Sequence, residues 1–453
     1  MEGLAQSVAE DGVHAARRAI LRGIFLETLS AIDVREVFTR AVACEDDWLR
    51  VADLRYRLAN FQRVLVIAIG KAAVPSAEAV LAKLAVSAIP IEAIVVGPGE
   101  MRAQSCAVER WQGSHPLPDA TGRDAAHRII SALKRTNAQD LVIFLISGGA
   151  SAMVELPLDE TVTIEETAAF YSALVHSGLS IAEMNTLRKH VSAVKGGRLA
   201  EFAPDATKCT LLVSDVPEGM ADVIGSGPTL PDLSTREQCW ELIRRPELQS
   251  GVPDRVRLLL ESANLPETPK PVAECFRNAE SRVVLSTAMM LTFAAELCER
   301  RGAHVVIDNS CDEWDYGAAA DYLLERLRNL SIQHARVCLL SGGEVLVNVE
   351  GEPGVGGRNQ QFGLYCAKRL GSIPAEVAVL SAGTDGVDGN SPAAGAVVDG
   401  TTVERALRAR LSVEDALERF DAYPLLERIG DAVVTGPTGN NVRDLRILVA
   451  ERR

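Results

Sequence analysis

A chain of 453 residues is too long for a single hydrophobic core, so two domains are expected. Its 61 acidic and 47 basic residues leave a net charge of −14, which argues against nucleic acid or an anionic membrane as the main partner. Apolar content of 47% with only 4% aromatics favours closely packed helices on sheets over an aromatic-rich sandwich.

The nine cysteines are scattered and contain no C-x-x-C pair, which argues against a disulfide framework or zinc site and for a reducing cytoplasm. Glu2, Glu10, Asp11 and Arg17 interrupt the opening residues, and no apolar run reaches the length of about 18 residues that a membrane span needs. Neither a signal peptide nor a transmembrane helix is expected.

Residues 13–58 are rich in Ala, Leu, Arg and Glu at helical spacing and predict two or three helices. The apolar run Val64–Ile69 stops at Gly70-Lys71, and Ala72–Ala85 is helical in pattern: strand, glycine turn, helix. Ile91–Val96 is a second apolar run, closed by Gly97-Pro98-Gly99. The polar loop Ser114–Asp119 leads to a helix over Thr121–Lys134 and then a strand over Leu141–Ile146, which runs into Ser147-Gly148-Gly149. Helices are predicted over Thr163–Gly178 and Ile181–His190, followed by a basic stretch with two glycines up to Arg198. Thr210–Val213 is a strand ending at Ser214-Asp215. Leu265–Pro271, with three prolines, is the expected linker, dividing the chain into domains 1–265 and 272–453. A second alternation has strands at 282–286, 303–307 and 336–340, helices at 288–301 and 316–329, and a further strand at 345–350. The strand ending at Leu340 runs into a second Ser341-Gly342-Gly343. Strands alternating with helices in both halves predict an α/β fold class, two α/β/α sandwich domains with largely parallel sheets.

In such sheets ligands bind beyond the carboxyl ends of the strands, so the polar residues there are the candidates. Lys71 directly follows a strand and is either a solvated loop residue or a phosphate ligand; the Walker spacing is absent. Ser147, Gly148, Gly149 and Ser151 form either a tight packing turn or a set of backbone and hydroxyl donors for phosphate. Lys189, Lys195 and Gly196 belong to a solvated helix end or to a polyphosphate clamp. Gly356-Gly357-Arg358-Asn359 places a guanidinium at a helix start, where it suits a carboxylate or phosphoryl group. Thr384-Asp385-Gly386-Val387-Asp388 is either an Asx-Gly turn or a carboxylate pair for Mg²⁺. His115 and His190 are acid–base candidates or hydrogen-bonded structural residues. There is no G-x-S-x-G at a strand–helix turn and no G-x-G-x-x-G, which weighs against a serine hydrolase and against NAD binding.

Singly these signals are weak, but their order is specific. Ile69–Ala72, Gly113–Asp119, Leu145–Gly149, Asn185–His190, Lys195–Ala200, Ser214–Pro217, Ser226–Thr229, Gly356–Asn359, Gly383–Gly386 and Gly436–Gly439 together resemble the class II glycerate 2-kinase family, with a MOFRL domain at the C-terminal side. The resemblance implies a Rossmann-like N-terminal domain and an active site in the interdomain cleft. It implies phosphorylation of D-glycerate by ATP at the 2-hydroxyl, with Mg²⁺ as cofactor. Lys71 and Arg358 fall on the family's suspected catalytic pair. On that basis Asp215 is expected to take the hydroxyl proton or bind metal, and Asp385 and Asp388 to hold Mg²⁺. His115, Asn359 and Thr384 are expected at the substrate, and Ser147 to Ser151, Lys189, Lys195 and Gly196 at the nucleotide. The chain departs from the family pattern at Ala150, at Glu218-Gly219 and at Gln361. The alternatives are an NAD(P)H-dependent hydroxypyruvate reductase, a label this family has also carried, and a kinase of a related small hydroxy acid. A homodimer is left open.

Overall fold

The computed structural model describes residues 2–102, 106–217, 219–349, 351–370 and 375–452; Glu218 lies outside them. It divides into one unit of Val34–Leu285 and another of Met1–Asp33 with Ser286–Arg453.

The first unit opens with a helix, Val34–Ala41, and an antiparallel meander of β1 (Val42–Glu45), β2 (Trp48–Val51) and β3 (Leu54–Arg57). Residues 42–57 were expected to be helical. The alternation Trp48-Leu49-Arg50-Val51, bracketed by positive φ at Asp46 (53°) and Ala52 (54°), gives hairpin turns instead. The main sheet holds β4 (Arg63–Ile69), β5 (Ile91–Val96), β6 (Ala107–Trp111), β7 (Asp140–Ile146), β8 (Thr207–Val213) and β9 (Ala279–Leu285). All neighbours are parallel, in the order β6-β5-β4-β7-β8-β9. Leu65, Ile67 and Ile69 join Phe144 and Ile146 in a core covered by Ile129 and Leu133 of the helix Ala120–Leu133. The intervening Val64, Val66 and Ala68 are equally buried, so both faces are covered. This is why the strands read as unbroken apolar runs rather than alternating ones.

The expected linker at 265–271 is part of this unit. Pro266 and Pro269 lend carbonyl oxygens to Arg198 Nη2 (3.2 Å) and to the Asp232 N–H (3.0 Å). The chain then returns to pair β9 with β8, so the strand expected to open the second domain closes the first sheet.

The other unit contains the helix Glu2–Ala31 and a mixed sheet. Its strands are β10 (His304–Ile307), β11 (Arg336–Gly343), β12 (Glu376–Gly383), β13 (Gly395–Asp399), β14 (Ala432–Val433) and β15 (Asp444–Glu451). Their order is β10-β11-β15-β12-β13-β14, and only β10 and β11 pair in parallel. The expectation of a largely parallel sheet fails here because β15 inserts antiparallel between β11 and β12. The helix Glu2–Ala31 is fastened to this sheet by Arg17 on Glu376, Arg18 on Asp399 and Arg22 on the Ala432 carbonyl. Of the strand expected over 345–350, residue 350 lies outside the described residues, and 345–349 form no strand: Leu346 makes an isolated bridge to Asp315. Among the described residues no helix is long and apolar enough to cross a membrane.

Candidate active site

In the first unit the strand order reverses between β4 and β7, and a parallel sheet opens a crevice at such a point. The two strand ends are stitched together there. The Ser147 N–H donates to the Ile69 carbonyl (3.1 Å), the Lys71 N–H to the Gly148 carbonyl (2.9 Å), and the Ala72 N–H to Ser147 Oγ (3.0 Å). Gly70 sits at φ +121°, and a Cβ on it would lie 2.4 Å from Ser147 Oγ. Gly70→Ala is therefore expected to destabilise the unit by about 1–3 kcal/mol, read as a lowered urea midpoint. Ser147 is buried and spends both its N–H and its hydroxyl on this stitch, so it shapes the turn rather than facing a ligand.

Three candidate side chains converge on the next two glycines. A Cβ on Gly148 would meet Asp215 Oδ2 at 2.0 Å. One on Gly149, at φ +83°, would meet His115 Cδ2 at 3.1 Å and Lys71 Cγ at 3.3 Å. Both glycines are thus required by close approach, and Lys71, His115 and Asp215 meet over them. Burial, and then the Lys71 ammonium, hold His115 below the usual histidine range. The ring is accordingly neutral at pH 7.

Beside this meeting point lies a cavity of about 470 Å³ lined by His115, Gly148, Gly149, Ser151, Asn185, Arg188, Asp215 and Ser226, with Leu117, Val175, Val216 and Val223 as apolar walls. A chain of side chains orders one wall. Ser151 Oγ is 3.0 Å from Ser226 Oγ, and Ser226 Oγ donates to Asn185 Oδ1 (2.7 Å). Ser226 holds a positive φ of 60°, a strained value for a residue with a side chain. Its loop is pinned by the Gly196 N–H on the Ser226 carbonyl (3.0 Å) and the Gly197 N–H on the Gly227 carbonyl (2.7 Å). Gly196 therefore positions Ser226 and does not cradle a phosphate itself. Ser226 and Asn185 were visible in the sequence only as members of ordered motifs; no spacing rule marked them as cavity residues.

The two lysines expected at the nucleotide are placed elsewhere. Lys189 is buried between Asp222 and Asp232, 2.9 Å from each. Lys195 is wholly buried on Glu155, which also accepts the Tyr171 hydroxyl. Both ammonium groups are matched by carboxylates inside the fold, so neither forms a polyphosphate clamp. His190 is also buried, bonded to the Thr186 carbonyl (2.8 Å) and to Glu267 (3.2 Å).

The second unit gathers its own charged cluster. Arg358 opens the helix Arg358–Arg369 and binds Asp444 through Nε (2.6 Å) and Nη2 (3.0 Å), with Glu344 at 2.8 Å. Burial raises the Glu344 carboxyl above its ordinary range, with Arg358 opposing. The helix N-terminus is capped by Asp388, whose two oxygens accept from the backbone and side-chain N–H groups of Asn359 and Gln360. Burial pushes Asp388 up to about 6 against the pull of these donors.

Several expected roles change as a result. Asp388 is a buried helix cap, while Asp385 is exposed and accepts the Val387 N–H (3.1 Å). They do not fit as a pair of Mg²⁺ ligands, because both Asp388 oxygens already face N–H donors that a cation would repel. Among the described residues no group of His, Cys, Asp and Glu is arranged to hold a metal ion. Asn359 is buried between Asp388 and the Ser381 hydroxyl (2.6 Å). Thr384 is buried with its hydroxyl on the Arg443 carbonyl (2.7 Å) and the Val442 N–H (2.9 Å). Both are structural rather than substrate-facing. The second Ser341-Gly342-Gly343 is not a turn either. It stays in the ladder opposite Asp444–Arg446, and its glycines admit Thr287 and Asp312.

Comparison with known proteins agrees with this architecture. Residues 20–261 match the family described as Domain of unknown function (DUF4147), and residues 337–444 match the MOFRL family. D-glycerate 2-kinase of Thermotoga maritima is 34% identical over 86% of this chain and 91% of its own. Glycerate 2-kinase of Pyrococcus horikoshii is 31% identical over 93% of this chain and 95% of its own. The crystal structure of glycerate kinase from T. maritima superposes with a TM-score of 0.81 at 31% identity, covering 96% of this chain and all of that one. The chain belongs to the glycerate 2-kinase family.

Proposed function

We propose that the protein transfers the γ-phosphoryl group of ATP to the 2-hydroxyl of D-glycerate, releasing ADP and 2-phospho-D-glycerate. The observation that carries this reading is the convergence of Lys71, His115 and Asp215 on Gly148 and Gly149 at the strand reversal. Phosphoryl transfer demands positioning and charge stabilisation above all. Lys71, an exposed cation on a fixed turn, neutralises charge on the transferring group. Asp215 accepts the proton of the attacking hydroxyl, whose oxygen forms the new bond to phosphorus as the bond to ADP breaks. Neutral His115 offers a hydrogen bond to either substrate. Gly148 and Gly149 let Asp215, His115 and Lys71 approach the strand end closely, and the Ser151 hydroxyl on the cavity lining is offered to a phosphate oxygen. Arg358, oriented by Asp444 and Glu344, contributes a second fixed cation in its own unit.

A requirement for Mg²⁺ accords with ATP as donor, since Mg²⁺ is commonly carried on the nucleotide phosphates. The reductase alternative finds no support at β4, whose end is Gly70-Lys71-Ala72 and not a dinucleotide glycine turn.

The test is an ADP-release assay with ATP, Mg²⁺ and D-glycerate, run beside an enolase-coupled readout lacking mutase. Signal in both is the expected result. ADP release without an enolase signal would place the phosphate on the other hydroxyl. Silence with glycerate, but NADH oxidation with hydroxypyruvate, would replace the kinase reading by the reductase.

A further inference from the structure

We propose that Arg188 is the oxyanion-binding residue of the cavity, taking either the carboxylate of the acceptor acid or a phosphate of the nucleotide. This deepens the kinase reading and rests on it. Arg188 lies three residues after Asn185 on the helix Ile181–Val191, and residues so spaced share a helix face. Both line the cavity.

Among the described residues the Arg188 guanidinium makes no hydrogen bond or ion pair, and its Nε is buried without a partner. A buried polar group left in that condition is uncommon and calls for a ligand or another explanation. The guanidinium is nevertheless held in place. It lies 4.8 Å from the centre of the Tyr171 ring, a distance suited to a cation–π contact. The ring is fixed in turn, because the Tyr171 hydroxyl is bonded to the buried Glu155.

The charges agree. Glu155 is already matched by Lys195, so this cluster holds two cations against one carboxylate. The other carboxylate on the lining, Asp215, is packed over Gly148. An arginine stacked on an aromatic face keeps its edge free, and that edge is the part that forms paired contacts with carboxylate or phosphate. The hydroxyl of Ser151, held by Ser226, stands on the same lining and suits a hydroxylated ligand.

Arg188→Met keeps the length and apolar stem and removes the charge. Steady-state constants for D-glycerate and for ATP are measured separately. A rise of roughly 10- to 100-fold in KM is expected for one substrate, with kcat changed much less. If the rise is in KM for glycerate, the bound group is the carboxylate; if in KM for ATP, it is a phosphate. Unchanged KM values for both would overturn the proposal, as would equal changes accompanied by loss of the cooperative urea transition and normal KM values in Arg188→Lys. Should Arg188→Met fail to fold, Arg188→Lys takes its place: it keeps charge but loses the paired geometry, and a several-fold KM rise in one substrate is required. Absence of turnover in the unsubstituted protein would count against the kinase reading alone. Calorimetric binding of ATP and of D-glycerate to the unsubstituted and Arg188→Met proteins would then decide the role of Arg188, equal affinities for both ligands overturning it.

Discussion

Replacing Lys71 by alanine is expected to lower kcat by roughly 100- to 1000-fold with little change in the urea midpoint. The substitution removes only the exposed ammonium and its stem. The backbone bond that Lys71 makes, from its N–H to the Gly148 carbonyl at 2.9 Å, is available to alanine as well. The turn at Gly148 and Gly149, over which Asp215 and His115 lie, therefore persists, and lost turnover reports lost charge. Lys71→Arg should retain an intermediate rate, because the charge survives in a broader shape that must share space with the His115 ring. A Lys71→Ala enzyme working within a few-fold of the parent rate would remove Lys71 from the reaction.

Lys195→Met is expected to destabilise the first unit by about 3–5 kcal/mol, measured from denaturant unfolding. Glu155 and Lys195 are both wholly buried, and removing the lysine leaves a carboxylate that, among the described residues, is bonded to the Tyr171 hydroxyl and the Leu156 N–H alone. The double replacement Glu155→Leu with Lys195→Met removes both charges and should recover most of that loss. If the single and double variants unfold at the same midpoint, the pair is not what stabilises this region. Activity adds a second readout. Tyr171 keeps its packing in the double variant but loses the hydroxyl partner that fixes its ring, so Arg188 should lose order even where stability returns.

How much of this was legible beforehand depends on how each residue carries its signal. Val64–Ile69 and Leu141–Ile146 announced themselves because strands buried on both faces must be continuously apolar. The glycines after them were legible as turns, and Lys71 and Asp215 as strand-end residues, since a parallel sheet directs ligands there; His115 was legible only as an acid–base residue type in the polar loop Ser114–Asp119. Lys189 and Lys195 misled because a basic run is ordinarily solvated. Their carboxylate partners lie at Asp222, Asp232 and Glu155, separated by 33 to 43 positions, and no local pattern exposes such pairs. Asp388 misled for a related reason, as a cap supplied from 28 or 29 residues away resembles an acidic metal loop when read locally. The second Ser-Gly-Gly imitated the first in letters only. Which residues pair with β11 depends on β15, about a hundred residues further along.

That late strand has a bearing on biosynthesis. The sheet of the second unit cannot close until Asp444–Glu451 has left the ribosome, because those residues separate β11 from β12. The helix Glu2–Ala31, made long before it, docks on that same sheet and must wait for it. Val34–Leu285, by contrast, contains every strand of its own sheets. A nascent chain stalled after residue 285 has emerged should thus hold one protease-resistant body, preceded by a segment whose docking partner does not yet exist. During that interval the leading segment is the natural place for a chaperone to bind.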